Sequence, residues 1–329
     1  MTDEVTALNL SINLAPNNWT GLTLKNPIII ASGTFGYDGY GRGIPETMDL
    51  SQIGAVIPKT VTRHPREGNP EPRWYPTSYR EGKDRNEAIY LNSIGLANPG
   101  IEGALSDLAP AWHTWRATII LSLSGSSPAE FGEMAAMTKG VSGFEALELN
   151  LSCPNIESGA LFAHSADQTY QVVKQVKANS DLPILVKLAP NVPDIVPIGK
   201  AAASAGADAL TISNTNPAML VETSSKTPVL GAGTGGLSGP ALHPIALALV
   251  YQAFRAIDIP IIGVGGVFTA EDALRFIMCG ASAVQIGSAN LADMWAPMNV
   301  LEELTEHLQI DQIPDFQEII GVAHNRIAV

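Results

Sequence analysis

Eight short and almost continuously apolar segments recur along this chain, and they restrict its fold more than any other feature. They are rich in β-branched residues and lack the alternation of apolar and polar residues that a strand exposed on one face shows. Such segments are typical of parallel strands that are covered on both faces. The segments are residues 27–32, 55–62, 118–125, 146–152, 184–189, 209–214, 259–266 and 283–289.

Segments with helical spacing or strong helix formers lie between the apolar ones. They cover residues 101–115, 128–141, 165–180, 193–205, 240–257 and 269–279. A strand followed by a helix, repeated about eight times, predicts a (β/α)8 barrel, that is, a TIM barrel of the α/β class. A doubly wound sheet is the competing architecture.

The chain length favours the barrel. A typical barrel takes about 250 residues, and the excess among the 329 residues can be placed outside the barrel. Residues 8–25 show hairpin-like alternation and predict an N-terminal extension, while residues 63–92 and 215–239 read as long loops. No linker or low-complexity tract divides the chain, so we expect residues 1–329 to form one domain.

Composition and charge exclude several functional classes. The chain has 32 acidic residues against 19 Lys and Arg, and the net charge of -13 opposes non-specific attraction to nucleic acid or anionic lipid. With 46% hydrophobic residues it is not disordered. Its two distant cysteines and the lack of a basic, signal-like start predict a reducing cytoplasmic location. Its longest apolar runs are shorter than the roughly 20 residues of a membrane helix.

Polar residues collect at the predicted carboxyl ends of the strands, where barrel enzymes place their active sites. Ser32 ends the first strand, the run 150–155 (NLSCPN) ends the fourth, and Asn214 and Thr215 end the sixth. The sequence therefore predicts a functional site at this end of the barrel.

Lys59 and Lys187 each follow apolar residues inside a predicted strand (AVIPK and ILVK). Burying an unpaired ammonium group costs several kcal/mol, so both lysines need anionic partners. One interpretation is an internal salt bridge with Glu148 or Asp208. The other is that the two lysines face an anionic ligand or an electron-rich ring, which would make a locally positive pocket in an acidic protein.

Glycine-containing turns follow the last two predicted strands, at Gly265-Gly266 and Gly287-Ser288. Barrels commonly bind phosphate at this place through backbone N–H groups. The alternative is that these glycines only permit tight turns. The run 231–236 (GAGTGG) matches a dinucleotide-binding motif by letter, but the acidic residue at the expected spacing precedes a strand instead of ending one, so we reject that interpretation.

Of the two cysteines, only Cys153 is placed for chemistry, because it lies in the loop after the fourth strand, whereas Cys279 lies in an apolar helical stretch. A thiol with an ordinary pKa of about 8.5 can remove a carbon-bound proton when it is held over a substrate. The alternative is an inert, buried cysteine. The histidines and cysteines show no metal-ligand spacing, so no metal site is expected.

Taken together, these motifs resemble the dihydroorotate dehydrogenase family, specifically its soluble, cysteine-dependent class 1. The resemblance spans essentially the whole chain. Its motifs are residues 31–35 (ASGTF), 58–62 (PKTVT), 92–100 (NSIGLANPG), 150–155 (NLSCPN), 186–190 (VKLAP), 214–215 (NT), 234–240 (TGGLSGP), 263–266 (GVGG) and 287–289 (GSA).

The resemblance implies an FMN-dependent oxidation of dihydroorotate to orotate in pyrimidine biosynthesis. Cys153 would take the proton from ring carbon 5 while hydride leaves carbon 6 for flavin N5. The implied FMN contacts are Ser32, Lys59, Thr60, Ser122, Asn150, Lys187, Ser213, Gly239, Gly265, Gly266, Gly287 and Ser288. The implied substrate contacts are Lys59, Asn92, Ser93, Ile94, Gly95, Leu96, Asn150, Asn155, Asn214 and Thr215.

Some residues depart from the family pattern. Ser122 stands where asparagine is frequent, and Ser213 stands where an aliphatic residue is common, so backbone contacts are expected at both positions. The segment 63–90 is longer and more charged than expected, and Asn216-Pro217 replaces the more usual sequence. These departures concern the cover of the substrate site and any partner surface.

Within class 1, Asn214-Thr215 and the 234–240 loop resemble subclass 1B. The resemblance then implies an electron-transfer subunit with FAD and a [2Fe–2S] cluster, reoxidation by NAD and a heterotetramer. A homodimer that uses fumarate, as in subclass 1A, is the alternative. Other candidate functions are a dihydropyrimidine dehydrogenase-type flavoenzyme, a Schiff-base lyase that uses Lys187 as nucleophile, and a non-catalytic barrel.

Overall fold

The computed structural model describes residues 8–76, 89–151 and 162–326, and within these residues eight parallel strands close into a barrel. The strands follow chain order around the barrel, and the last one pairs with the first, Val284 opposite Ile28. This confirms the predicted (β/α)8 barrel. The barrel strands are β1 Ile28–Ile30, β2 Ala55–Val56, β3 Thr118–Leu123, β4 Ala146–Asn150, β5 Ile184–Leu188, β6 Ala209–Ile212, β7 Ile261–Val264 and β8 Ala283–Ile286.

All six predicted helical segments contain helix in the described part of the chain. The segment predicted at 101–115 is irregular, because the π-helical residues Ala104–Leu108 lie between two short α-helices. The α-helices are α1 Gly100–Gly103, α2 Ala109–Trp112, α3 Pro128–Met137, α4 Ala166–Asn179, α5 Val196–Ser204, α6 His243–Phe254, α7 Ala270–Met278, α8 Ser288–Ala292 and α9 Ala296–Ile310. Sequence reasoning missed α8 and α9, although the buried residues Val300, Leu304 and Leu308 of α9 have helical spacing.

Side-chain caps fix where several of these helices begin. Ser127 and Ser165 accept hydrogen bonds from backbone N–H groups in the first turns of α3 and α4. At α7, Thr269 and Asp272 form a reciprocal capping box. These caps satisfy backbone donors that the first turn of a helix leaves free.

The core lies inside the barrel and between the barrel and its helices. Every residue of β5 and β7 is buried, which explains why the predicted strands read as continuous apolar runs. Among the described residues, no helix is both long enough and apolar enough to cross a membrane.

The N-terminal extension is a hairpin, as predicted, in which Ile12–Asn13 pairs with Thr23–Leu24. The two predicted long loops, 63–92 and 215–239, are not wholly irregular, and that prediction was wrong. They form a four-stranded antiparallel sheet in the order Asn216–Ala218, Gly235–Ser238, Tyr90–Asn92, Trp74–Tyr75. A second small pair joins Val221–Glu222 to Thr227–Pro228. These strands contain Gly and Pro, which strand propensity disfavours, so pairing between distant segments stabilises them.

Two glycines that follow helices offer a matched test of packing. Gly140 after α3 and Gly280 after α7 both have positive φ, +76° and +113°. A Cβ on Gly280 would overlap the Phe254 ring, whereas a Cβ on Gly140 would meet no atom within 4 Å.

We expect Gly280→Ala to lower the midpoint of thermal unfolding clearly more than Gly140→Ala. The Gly140 variant bears only the left-handed backbone penalty of about 1 kcal/mol, while the Gly280 variant adds the clash with Phe254. Circular dichroism melts of both variants measure the difference, and equal midpoints would contradict it.

Candidate active site

A cavity of about 280 Å³ lies at the carboxyl ends of the barrel strands. This volume is near the lower limit of small-molecule sites, about 300 Å³. The four-stranded sheet covers the cavity with one cross-strand row in which Pro217, Gly236, Asn92 and Trp74 are directly paired. Paired residues of an antiparallel sheet share a face, and all four of these residues line the cavity.

The structure brings most of the predicted site residues to this cavity. Ser122 and Gly239 do not line it. Ser122 forms a hydrogen bond with the lining residue Thr60, and Gly239 directly follows the lining residue Ser238 in the sequence. Cys153 and Asn155 lie outside the described residues. The predicted residues that line the cavity are Ser32, Lys59, Thr60, Asn92, Ser93, Ile94, Gly95, Leu96, Asn150, Lys187, Ser213, Asn214, Thr215, Gly265, Gly266, Gly287 and Ser288.

Sequence reasoning missed other lining residues, among them Trp74, Pro217, Ser238 and Leu291. Ser238 contributes a hydroxyl group to the wall, and its Oγ accepts a hydrogen bond from Ser288 Oγ at 2.8 Å. The available signal for Trp74 was a pair of aromatic residues, Trp74 and Tyr75, in an otherwise polar segment that was interpreted as a loop.

Lys59 was predicted to lie inside the second strand, and this was wrong, because β2 ends at Val56 and Lys59 lies three residues beyond it. Its backbone N–H donates to Gly39 O at 2.9 Å. Neither Glu148 nor Asp208 pairs with it, and no carboxylate of the described residues lies within salt-bridge distance of its amine. Burial, together with a smaller contribution from the nearby Arg73, lowers the Lys59 pKa to about 8, and Asp38 partly opposes this shift.

Lys187 lies in β5, as predicted, and it has the internal partner that the sequence offered as one alternative. Its Nζ lies 3.9 Å from Glu148 Oε2 and donates to Gln285 Oε1 at 3.3 Å. Asp208, the other suggested partner, pairs instead with Lys177 at 3.5 Å. Because Lys187 also lines the cavity, its ammonium group is both paired inside the barrel and available to a ligand.

A chain of hydroxyl and amide groups connects one wall of the cavity. Thr60 Oγ1 lies 2.8 Å from Ser122 Oγ and 3.1 Å from Ser32 Oγ, and it accepts from Asn150 Nδ2 at 3.2 Å. Asn214 Nδ2 in turn donates to Asn150 Oδ1 at 3.2 Å. Ser122 therefore contacts Thr60 through its side chain, although Ser122 itself does not line the cavity. The chain fixes the orientation of two amides, which can both donate to and accept from a ligand.

The glycine turn after β7 has a steric reason within the protein. Gly265 and Gly266 have φ of +142° and +66°, and a Cβ on Gly266 would lie 2.7 Å from Gly239 O. The Nδ1–H group of His243 donates to Gly265 O at 2.9 Å and braces the turn. Burial lowers the His243 pKa, which favours the neutral ring, while this hydrogen bond and Asp272 oppose the shift.

Gly287 differs from these two glycines. Its φ is -111°, and a Cβ placed on it would meet no protein atom closer than Ala31 Cβ at 3.6 Å. Packing within the protein therefore does not demand a glycine here. Because Gly287 lines the cavity, the missing side chain leaves room on the cavity side.

A closed parallel barrel with a polar cavity at the carboxyl ends of its strands is the architecture of an α/β barrel enzyme. The family model of dihydroorotate dehydrogenase matches residues 14–308. The chain belongs to the dihydroorotate dehydrogenase family.

Similar proteins carry a more specific name. The chain is 43% identical over 305 residues to "Dihydroorotate dehydrogenase B (NAD(+)), catalytic subunit" of Desulforudis audaxviator, with 92% of this chain and 95% of that protein covered. It is 40% identical over 318 residues to the protein of the same name from Desulforamulus reducens, covering 96% and 99%. The Carboxydothermus hydrogenoformans protein of that name is 41% identical over 304 residues, covering 92% and 95%.

These similarities confirm the predicted family and activity, the oxidation of dihydroorotate in pyrimidine biosynthesis. They favour this activity over the dihydropyrimidine, Schiff-base and non-catalytic alternatives. Members of the family are flavoproteins, and flavin use follows from the family.

Proposed function

We propose that this chain binds FMN in the cavity and oxidises dihydroorotate to orotate with Cys153 as the base. The observation that carries the proposal is the convergence of Lys59, Lys187 and the linked amides of Asn150 and Asn214 on one cavity. FMN and dihydroorotate both carry an anionic group and a ring with amide-type N–H and C=O groups, and this set of residues complements both features.

The residues present fit a bound FMN. The backbone around Gly265, Gly266, Gly287 and Ser288 would hold the phosphate, and the side-chain-free cavity face of Gly287 suits close approach by a ligand. Lys187 would stabilise negative charge on the ring system. Bound FMN would supply the acceptor for the hydride that leaves the substrate.

The same cradle includes the predicted FMN contacts that lie on neighbouring turns. Ser32 and Thr60 present hydroxyl groups to the cavity, and Ser122 reaches it only through Thr60. We assign backbone contacts to Ser213 and Gly239.

The substrate would lie between the strand ends and the covering sheet. Lys59 would pair with the substrate carboxylate, because its ammonium group has no anionic partner of its own within salt-bridge distance among the described residues. Asn92, Asn150, Asn214 and Thr215 would pair the ring N–H and C=O groups. The loop residues Ser93, Ile94, Gly95 and Leu96 would complete the substrate pocket, with Asn155 assisting.

Cys153 would remove the proton from ring carbon 5 of dihydroorotate. This assignment rests on the NLSCPN motif that follows β4 and on the family, since Cys153 lies outside the described residues. Asn150, which precedes Cys153 by three residues in the sequence, ends β4 at the cavity. A thiolate at this place is the base that the oxidation requires.

We further propose that the chain acts as the catalytic chain of a cytoplasmic two-subunit enzyme, folding as one FMN-binding domain over residues 1–329. The name "catalytic subunit" of its relatives supports a separate electron-transfer chain, with FAD and a [2Fe–2S] cluster, that passes electrons to NAD. This chain has two cysteines, fewer than the four that such a cluster normally needs. A heterotetramer is the proposed assembly, and a homodimer that uses fumarate is the alternative outcome.

The proposed function is tested by the visible absorption spectrum of the purified chain before and after anaerobic addition of dihydroorotate. We expect a flavin spectrum whose oxidised bands bleach, and acid release of FMN rather than FAD. Supply of fumarate to the isolated chain should not restore the oxidised bands. Colourless protein that takes up no FMN, or a flavin that dihydroorotate does not reduce, would contradict the proposal.

Cys153→Ser should retain FMN but slow its reduction by dihydroorotate by about 10²–10⁴-fold at neutral pH, the range of general-base catalysis. The rate should recover as pH rises, because a serine hydroxyl loses its proton far less readily than a thiol. Stopped-flow reduction across pH measures this effect, and Cys279→Ser is the matched control. Unchanged rates at neutral pH would rule out Cys153 as the base.

Orotate binding should weaken as pH rises above about 8, the pKa of Lys59. Below this pKa the amine is charged and pairs with the carboxylate. Above it the amine loses its proton, and the dissociation constant of orotate should rise by up to about tenfold per pH unit. The measurement is orotate titration of the FMN-loaded Cys153→Ser variant, in which the thiol does not titrate. A pH-independent dissociation constant would show that Lys59 does not bind the carboxylate, and Lys59→Met should show weak binding without this pH dependence.

A further inference from the structure

Glu148 in β4 is a fully buried carboxylate that the proposed reaction does not use. Its Oε1 accepts hydrogen bonds from Thr211 Oγ1 at 2.9 Å and from Gln285 Nε2 at 2.7 Å. Its Oε2 makes no hydrogen bond within the described residues and lies 3.9 Å from Lys187 Nζ. The carboxylate is therefore fixed by one oxygen, and the other oxygen faces the lysine.

Gln285 in β8 fixes the geometry of this pair. Because its Nε2 donates to Glu148, its Oε1 must face Lys187, from which it accepts at 3.3 Å. The amide thus holds the ammonium group and the carboxylate at a set separation across the barrel. Lys187 is the member of this cluster that lines the cavity.

We propose that Glu148 is a positioning residue that acts through Lys187 and offsets the charge that Lys187 presents to the cavity. The inference rests on the proposed function, in which Lys187 stabilises negative charge on bound FMN. A lone buried ammonium group would draw electrons strongly onto the flavin, whereas an ammonium group with a carboxylate behind it does so less. Glu148 thereby limits how readily the flavin accepts negative charge, so that electrons can leave it again.

The burial of the pair makes this effect significant. Glu148 and the Lys187 side chain are 0% and 8% exposed, so solvent screens their charges weakly. A buried carboxylate is also costly unless it is paired and hydrogen-bonded. Hydrophobic residues of equal volume would fill the barrel interior without that cost, so packing alone does not explain a charged residue at this position.

The test uses sulfite, which adds to an oxidised flavin ring and leaves negative charge on it. Glu148→Gln keeps an oxygen that can accept from Thr211 and Gln285 but removes the charge. In the FMN-loaded full chain we expect this variant to bind sulfite on the order of tenfold more tightly and to have a more positive flavin midpoint potential. Unchanged or weaker sulfite binding with FMN retained would overturn the proposal.

Two further variants keep the test decisive. Thr211→Val removes one hydrogen bond to Glu148 but no charge, so its sulfite affinity should stay near that of the parent protein. A change in it equal to that of Glu148→Gln would mean that packing, not charge, is responsible. Glu148→Asp shortens the side chain, draws the carboxylate back from Lys187 and should tighten sulfite binding by a smaller factor. This variant provides the test if Glu148→Gln does not fold. Sulfite binding that is no tighter in Glu148→Asp would overturn the proposal.

Failure of this inference can be separated from failure of the proposed function. A parent protein without flavin, or with a flavin that dihydroorotate does not reduce, would contradict the proposed function. A parent protein that passes both tests, with variants whose sulfite affinities follow no pattern of charge, would contradict only the role of Glu148.

Discussion

The pairing of β8 with β1 closes the sheet, and the rest of the site depends on this closure. A closed parallel barrel has no free edge, and it places all eight carboxyl ends in one ring. Residues as distant in sequence as Ser32 and Ser288 thereby line the same cavity. The barrel also supplies a water-poor interior below the ring, in which the pair of Glu148 and Lys187 can interact with little screening.

The two lysines of the cavity differ in how the burial of their ammonium groups is compensated. Lys187 has a carboxylate and an amide as partners and stays paired inside the barrel. Lys59 lacks a carboxylate within salt-bridge distance in the described part of the chain, and its pKa falls to about 8 as a result of burial. Burial destabilises the charged form of Lys59, and an anionic ligand would stabilise that form again. A lysine without a carboxylate partner therefore favours the binding of an anion. The paired lysine instead keeps a fixed place. A protein with a negative net charge can thus have a locally positive site while the rest of its surface does not attract anions.

Sequence patterns were sufficient to predict the barrel, because strands buried on both faces read as continuous apolar runs at all eight positions. They were misleading where a residue follows such a run: Lys59 reads as part of a strand, but Pro58 cannot donate to the ladder, and the strand ends before it. The pairing of Glu148 with Lys187 was one of the alternatives, yet nothing in the spacing distinguished it from pairing with Asp208, since the choice depends on which layer of the barrel each side chain occupies. Gln285 and Thr211 carry a signal that was available, a polar residue inside an otherwise apolar strand. The roles of all the predicted site residues stay predictions, and Cys153 and Asn155 also lie outside the described ranges.

The four-stranded sheet was the largest error of the sequence-based prediction, and its physical origin explains its position over the site. Strands of two to four residues that contain Pro217, Gly235 and Gly236 have little tendency to form alone. They form here because segments that are distant in sequence pair with one another. Two of them come from the first half of the chain, Trp74–Tyr75 and Tyr90–Asn92, and two from the second half, Asn216–Ala218 and Gly235–Ser238. In the folded chain these segments meet over the carboxyl ends of the barrel strands. The cover of the cavity therefore depends on contacts between distant segments as well as on the barrel, and Asn92 is held on both sides, paired with Gly236 in one strand and with Trp74 in the other.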